Sequence, residues 1–364
     1  CLLPNAGSFG MAVSTAMIFG LVSLMFLDTS INMAMQPFKM MVGDMVNEKQ
    51  KGLAYSIQSF LCNAGSLVGF LFPFIFTWIG ISNIAPQGVV PDSVIYSFYI
   101  GAAILILCVI YTTVKVKEMP PAEYAEYHGI TEEEKKEKIN MVKLLVKAPK
   151  AFWTVGLVQF FCWFAFMFMW TYTNGSVAAN VFDAPTVETV VNGASKIVLD
   201  TKSIQYQNAA DWVGVLFAVQ AIGSVLWAVC IPMFKNRKLI YSLSLVLGGI
   251  GFISTYFVHN QYVLFISFLL IGCAWAAMLA LPFTILTNAL SGGHMGTYLG
   301  LFNGTICIPQ IVAATLGGSI LALFTPKGML PPEINMLVMA GVMLIIGAVC
   351  VYLIKETKGE QAKA

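Results

Sequence analysis

The chain has 364 residues, 58% of them hydrophobic and only 10% charged, with a formal net charge of +2. A soluble domain carries about 25% charged residues, so a water-covered surface around the whole molecule is excluded and lipid is the expected surrounding. The small net charge by itself says nothing about nucleic acid, which is not an expected partner; what matters is where the charges sit.

Runs of about 20 apolar residues are long enough to cross a bilayer. Nine lie in the chain, at roughly 11–36, 53–80, 94–116, 151–173, 211–234, 238–258, 261–287, 296–324 and 332–354. They are continuous rather than alternating, which predicts helices, because a lipid-embedded segment must satisfy its own backbone. The first apolar pattern continues to Val46. At about 1.5 Å per residue it exceeds the bilayer thickness, so its last turns are expected in the cytoplasm.

Lys and Arg in the connections set the orientation. Lys49 and Lys51 lie in the first connection, and eight lysines lie in Lys115–Lys150. Lys235, Arg237 and Lys238 lie in Phe234–Leu239, and Lys355, Lys358 and Lys363 in the tail. The intervening connections, 81–93, 174–210 and 325–331, hold only Lys196, Lys202 and Lys327. The lysine-rich set is expected to be cytoplasmic, so the C-terminus is expected inside.

Residues 117–150 form the one long charged connection, with Pro120-Pro121 and a run of charges of both signs from Glu132 to Lys138. Three spans precede it and six follow. This division resembles the plan of the major facilitator transporters, two six-helix halves joined by a charged loop. On that plan the chain holds nine of twelve helices. Residues 1–116 are then helices four to six, 117–150 the central linker, and 151–364 the C-terminal six-helix bundle with a short tail.

The first span carries the strongest polar signal. Asp28 lies within the apolar run, where an ionised Asp costs about 2.5–3.5 kcal/mol on insertion scales. At 100° per residue, Asp28, Asn32, Gln36 and Lys39 fall within an arc of about 80°. Asp28 is the candidate proton-coupling carboxyl. Asn32 and Gln36 are candidates for the substrate path, against the alternative that they only join helices by hydrogen bonds. Lys39 and Asp44, near the lysine-rich end, are candidates for a gate. Asp28 and Lys39 stand about 16 Å apart along the axis and do not pair directly.

In the span from Phe152, Gln159 and Trp163 are candidates to hold a sugar, whose apolar ring face stacks on aromatics while amides bind its hydroxyls. Trp170 and Tyr172 fit that role or an aromatic belt at the membrane surface. Further on stand Asp211 and Trp212, then Pro282 with Thr284. In Gly300–Gln310, Asn303 and Gln310 share a face two turns apart and are substrate-path candidates. The eight cysteines show no Cys-x-x-Cys pairing and the three histidines are scattered, so no metal site is expected. A membrane-embedded enzyme would need metal-binding carboxylates at a membrane face or a His-Glu-x-x-His run, and the sequence has no Asp-x-x-x-Asp on a cytosolic loop and no His-Glu-x-x-His.

Asp28, Asn32, Pro37, Lys39 and Asp44 stand at offsets of zero, four, nine, eleven and sixteen. This resembles the fourth helix of the glycoside–pentoside–hexuronide:cation symporters, in particular the branch with the sucrose transporters. Gly300, Asn303, Pro309 and Gln310 are similar to that family's eleventh-helix motif, and Trp163–Phe166 resembles its seventh-helix aromatic run. The resemblance implies a secondary active symporter of a disaccharide or glucoside, coupled to a cation expected to be a proton, without a further cofactor. It implies a monomer in a plasma membrane or bacterial inner membrane. Lys39 stands where the family has Arg, which loses the bidentate fork. Trp170 and Tyr172 stand where the sucrose branch has an acidic pair. A sodium-coupled carrier of another glycoside or hexuronide, or a sugar sensor on the same fold, remain the alternatives.

Overall fold

The computed structural model describes residues 13–47, 50–81, 92–117, 120, 123, 126, 141–191, 194–289, 295–326 and 328–354. Helices come where the apolar runs lie. They are α1 (Val13–Met45), α2 (Lys51–Trp78), α3 (Asp92–Lys115), a short α4 (Met141–Val146), α5 (Lys150–Asn180), α6 (Ile204–Cys230), α7 (Arg237–Ser254), α8 (Leu264–Ala289), α9 (Met295–Phe302), α10 (Gly304–Phe324) and α11 (Ile334–Cys350). Among the described residues eight segments are long and apolar enough to cross a membrane, with α9 and α10 counted as one. The remaining sequence span corresponds to α2, whose 28 residues reach about 42 Å.

Three features depart from the sequence expectation. The connection expected at 174–210 is shorter, because α5 runs on to Asn180 and α6 starts at Ile204. Between them lies an antiparallel hairpin of β1 (Thr186–Val191) and β2 (Ala194–Leu199), in register from Thr186 opposite Leu199 to Val191 opposite Ala194. The run at 296–324 is interrupted at Asn303. The last span starts at Ile334 rather than at 332, so Glu333 stands just ahead of it.

The chain divides into two compact units, Cys1–Val46 with Gly65–Glu137, and Asn47–Ala64 with Lys138–Ala364. In the first unit, α1 and α3 expose apolar side chains around their circumference, Phe26, Met33, Ile104 and Leu107 among them. A helix apolar on every side is suited to lipid. Phe76 of α2 meets Phe72 and Tyr96 at ring distances of 5.8 and 6.4 Å.

The second unit is a helix bundle centred on α5, which packs against α6, α8, α10 and α11. Lipid offers no hydrophobic drive between helices, so small residues and interhelical hydrogen bonds hold such bundles. Gly223 of α6 and Gly272 of α8 let the two backbones touch: a Cβ on Gly223 would lie 2.5 Å from the Leu269 carbonyl oxygen, and one on Gly272 would strike the Gln220 carbonyl. Ser242 donates from α7 to the Ala348 carbonyl at 3.0 Å. The Ser254 and Ser267 hydroxyls join α7 to α8 at 2.8 Å. Helix starts are capped where the sequence offers a cap. Ser203 accepts from the Tyr206 N–H and Asn236 from the Leu239 N–H, each filling an orphan donor. The first half of α2 also belongs to this unit. Tyr55 stacks on Phe283 with centroids 6.2 Å apart, and the Ser59 hydroxyl donates to the Ala276 carbonyl at 3.4 Å.

Candidate functional site

On α5, Gln159, Trp163, Phe166 and Trp170 recur at intervals of four, three and four, which places them on one stripe. The stripe faces α8. Trp163 and Trp170 each meet the Trp275 ring edge to face at 5.7 Å, Phe166 meets it at 4.8 Å, and Trp163 and Trp170 lie 6.4 Å apart. The result is a wall of three tryptophans backed by Phe166, which itself packs on Phe252 of α7 at 5.8 Å. The wall grades from buried to open, with Trp163 only 9% exposed and Trp170 43% exposed. Trp163 lies about 20 Å along α5 from Lys150, near the middle of a spanning helix.

The stripe is held in place by a backbone defect. Pro282 lies inside α8 and has no N–H, so the carbonyl four residues back, at Met278, loses its helical donor. The Gln159 amide nitrogen donates to that Met278 oxygen at 2.9 Å. Gln159 therefore crosses from α5 to α8 and repairs the ladder. Its other amide atom, Oε1, is buried and has no partner, and so is the Trp163 indole Nε1 one turn away. A buried polar atom left unpaired costs about 1–3 kcal/mol. Here an acceptor and a donor, both unsatisfied, sit beside an aromatic face.

Trp170 belongs to the wall and Tyr172 does not. Tyr172 is buried against Phe168, rings 5.4 Å apart edge to face, and beneath Gly317 of α10. Trp212 of α6 anchors the start of α8, donating to the Gln261 carbonyl in the preceding connection at 3.2 Å and stacking on Phe265 at 5.4 Å. Asn303 stands at the break between α9 and α10, flanked by Gly304, with its Oδ1 buried and unpaired and its amide nitrogen 3.8 Å from the Cys307 sulfur. Gln310 is half-buried one residue after Pro309.

On α1, in the first unit, Asp28 is exposed amid apolar neighbours and Lys39 is half-buried. The Asn32 amide nitrogen donates to the Asp28 backbone carbonyl at 2.9 Å, a bond within its own helix. The side chains of Gln36 and Asp44 lie outside the described residues.

Trp275 of the wall and a buried amide on α2, Asn63, were not singled out from the sequence. Trp275 sits in a long apolar run and reads as core. Asn63 of α2 is 1% exposed, with its nitrogen donating to the Ser59 carbonyl at 2.6 Å and its Oδ1 unpaired. The signal available for Asn63 was its amide within an apolar run, four residues after Ser59.

A multi-pass helical bundle with an aromatic wall and orphaned polar atoms near mid-membrane depth defines a membrane carrier rather than a soluble catalyst. The family model described as the Major Facilitator Superfamily matches residues 2–198 and again residues 181–364. The chain belongs to that superfamily and is a transporter, not an enzyme. Among solved structures, the fucose:proton symporter of E. coli is similar with a TM-score of 0.57 at 14% identity, over 96% of this chain and 80% of that one. At this identity the likeness is one of fold. No curated protein sequence matches the chain.

Proposed function

We propose that this transporter is a secondary active sugar symporter, of the glycoside–pentoside–hexuronide:cation and sucrose-transporter kind, carrying a disaccharide or glucoside with a proton by alternating access. The observation that carries the reading is the wall of Trp163, Trp170 and Trp275 beside the unpaired Trp163 N–H and Gln159 Oε1. A pyranose offers an apolar ring face and a rim of hydroxyls that donate and accept. Stacking on indole and bonding to these two atoms uses both. In the second unit Asn303, with an unpaired oxygen, and Gln310 extend the polar path, and in the first unit Asn32 and Gln36 are the substrate-path candidates.

In this reading Asp28 is the coupling carboxyl, exchanging one proton per cycle, and Lys39 and Asp44 lie at the gate. The lysine-rich ends of the helices face the cytoplasm, as does the C-terminus. Residues 117–150 link an N-terminal bundle to the C-terminal bundle of 151–364. The fucose:proton symporter supports this assignment by fold.

The test is uptake of labelled sucrose, maltose and glucosides by the full-length protein in proteoliposomes. An inward proton gradient should drive accumulation. Asp28→Asn should abolish uphill uptake while leaving sugar exchange. Normal uphill uptake by Asp28→Asn would remove Asp28 from the coupling role, and accumulation driven only by a sodium gradient would replace the proton.

A further inference from the structure

Glu333 is placed with unusual constraint. Pro331 and Pro332 precede it, its own N–H bonds to the Pro331 carbonyl at 2.9 Å, and its carbonyl accepts from the Met336 N–H at 3.0 Å. It sits at the N-cap of α11, where a carboxylate would ordinarily bond the free helix N–H groups. Its side chain makes no capping bond. Instead the carboxyl is pressed onto α5 at Gly175, and a Cβ there would fall on both carboxyl oxygens. Only a residue without a Cβ leaves this seat open.

The elements around the seat bring little charge. On α5 the titratable group that interacts with it is Tyr172. From α10 and α11 the only titratable side chains are Cys307 and Cys350, at the far ends of those helices, and α7, which packs on α11, has Arg237, Lys238 and Tyr241 at its far end. From α6, Tyr206 accepts from the Asn174 amide beside the seat at 2.9 Å, and β2, against α5, carries Lys196. Among the described residues no hydrogen bond or ion pair reaches the carboxyl. Glu333 is half-buried, so an ionised carboxylate here has lost part of its water without gaining a partner among the described residues.

We propose that Glu333 and its Gly175 seat form a proton-binding site in the second unit, a latch that holds the start of α11 on α5 while the carboxyl is protonated and releases it on ionisation. The side from which the proton arrives rests on the topology under Proposed function, which places Glu333 at the outer surface. Burial pushes the Glu333 carboxyl up from 4.5 to about 7, so the seat titrates near neutral pH. The sign follows from linkage. A raised acid binds its proton more tightly seated than released, so the seat is firmest below about pH 4.5, weakens as pH rises to about 7, and is constant above. The difference between 4.5 and about 7 corresponds to a change in the opening equilibrium on the order of a hundredfold.

Hydrogen exchange of the peptides covering 328–340, in nanodiscs without sugar, tests the site independently of transport. After correction for intrinsic exchange, protection should fall by that order between pH 4.5 and 7 and level off. Glu333→Gln, neutral at every pH, should keep the acid level of protection throughout. Gly175→Ala should give the released level throughout. If Gly175→Ala fails to fold, Glu333→Gln still decides. Protection in the natural chain that is flat across this range, or a step that survives Glu333→Gln, would overturn the proposal. In sealed vesicles of known orientation, a step that follows the pH on the lysine-rich side would overturn the topology and leave the latch standing.

Discussion

The indole N–H of Trp163 is buried without a partner, and its cost to the folded protein is recoverable only if something else accepts that bond. Trp163→Phe keeps an aromatic face against Trp275 and deletes the donor. Removing an unsatisfied group should leave stability unchanged or raise it, whereas losing a bond to substrate costs about 1 kcal/mol or somewhat more. The expected outcome is an unchanged or higher melting temperature together with an apparent KM for labelled sugar raised up to about tenfold. A lower melting temperature with unchanged KM would mean that the N–H serves the fold. Gln159 and Trp163 could be singled out from the sequence because a polar side chain in lipid needs a reason. Trp275 could not, since an apolar run hides a tryptophan among its neighbours and only the pairing of α5 with α8 reveals its place.

Helix α8 shows how one element fixes the site. Pro282 removes an N–H, the Met278 carbonyl is left over, and Gln159 of α5 fills it at 2.9 Å. The two residues should therefore be coupled. Gln159→Leu leaves the Met278 carbonyl unpaired but also removes the unpaired Gln159 Oε1, so it should destabilise at the lower end of about 1–3 kcal/mol. In a Pro282→Ala background the ladder closes by itself, so the same change should cost clearly less. Thermal unfolding of the four proteins of this double-mutant cycle measures the difference, and strictly additive effects would show that Gln159 does not serve the proline. Continuous apolar runs made the helices legible because lipid leaves the backbone no other local solution. The hairpin at 186–199 was less visible, although Val191-Asn192-Gly193-Ala194 carries the two-residue turn signature between β-branched stretches. The break at Asn303 was not read because Gly300 and Pro309 also occur within unbroken spans.

Helix α2 carries the question of how the whole molecule moves. Its first half, through Ala64, belongs with the second unit, and its second half, from Gly65, with the first. Within the second unit that first half is held by Tyr55 on Phe283, by the Ser59 hydroxyl on the Ala276 carbonyl, and by Gly52, where a Cβ would sit 3.7 Å from the Thr284 methyl. Lys51, Tyr55, Ser56, Ser59 and Asn63 on this face are buried, but a Cβ on Gly52 would still have 3.7 Å of room, so side chains rather than touching backbones make the seam. Side-chain contacts can part and re-form within a transport cycle, whereas the touching backbones at Gly223 and Gly272 cannot separate without losing the bundle. If alternating access works this seam, fixing it must stop the cycle and spare binding. Cysteines introduced as Ser59→Cys and Ala276→Cys, with the exposed Cys62 and Cys108 replaced by serine, can be joined by a short reducible crosslinker in proteoliposomes. Crosslinked protein should still quench its tryptophan fluorescence on adding sugar, because the wall on α5 and α8 is untouched, yet show no net uptake. Reduction should restore uptake. Full uptake after complete crosslinking would place the moving surface elsewhere, and loss of both binding and uptake would mean that the crosslink distorts α8 rather than holding a gate.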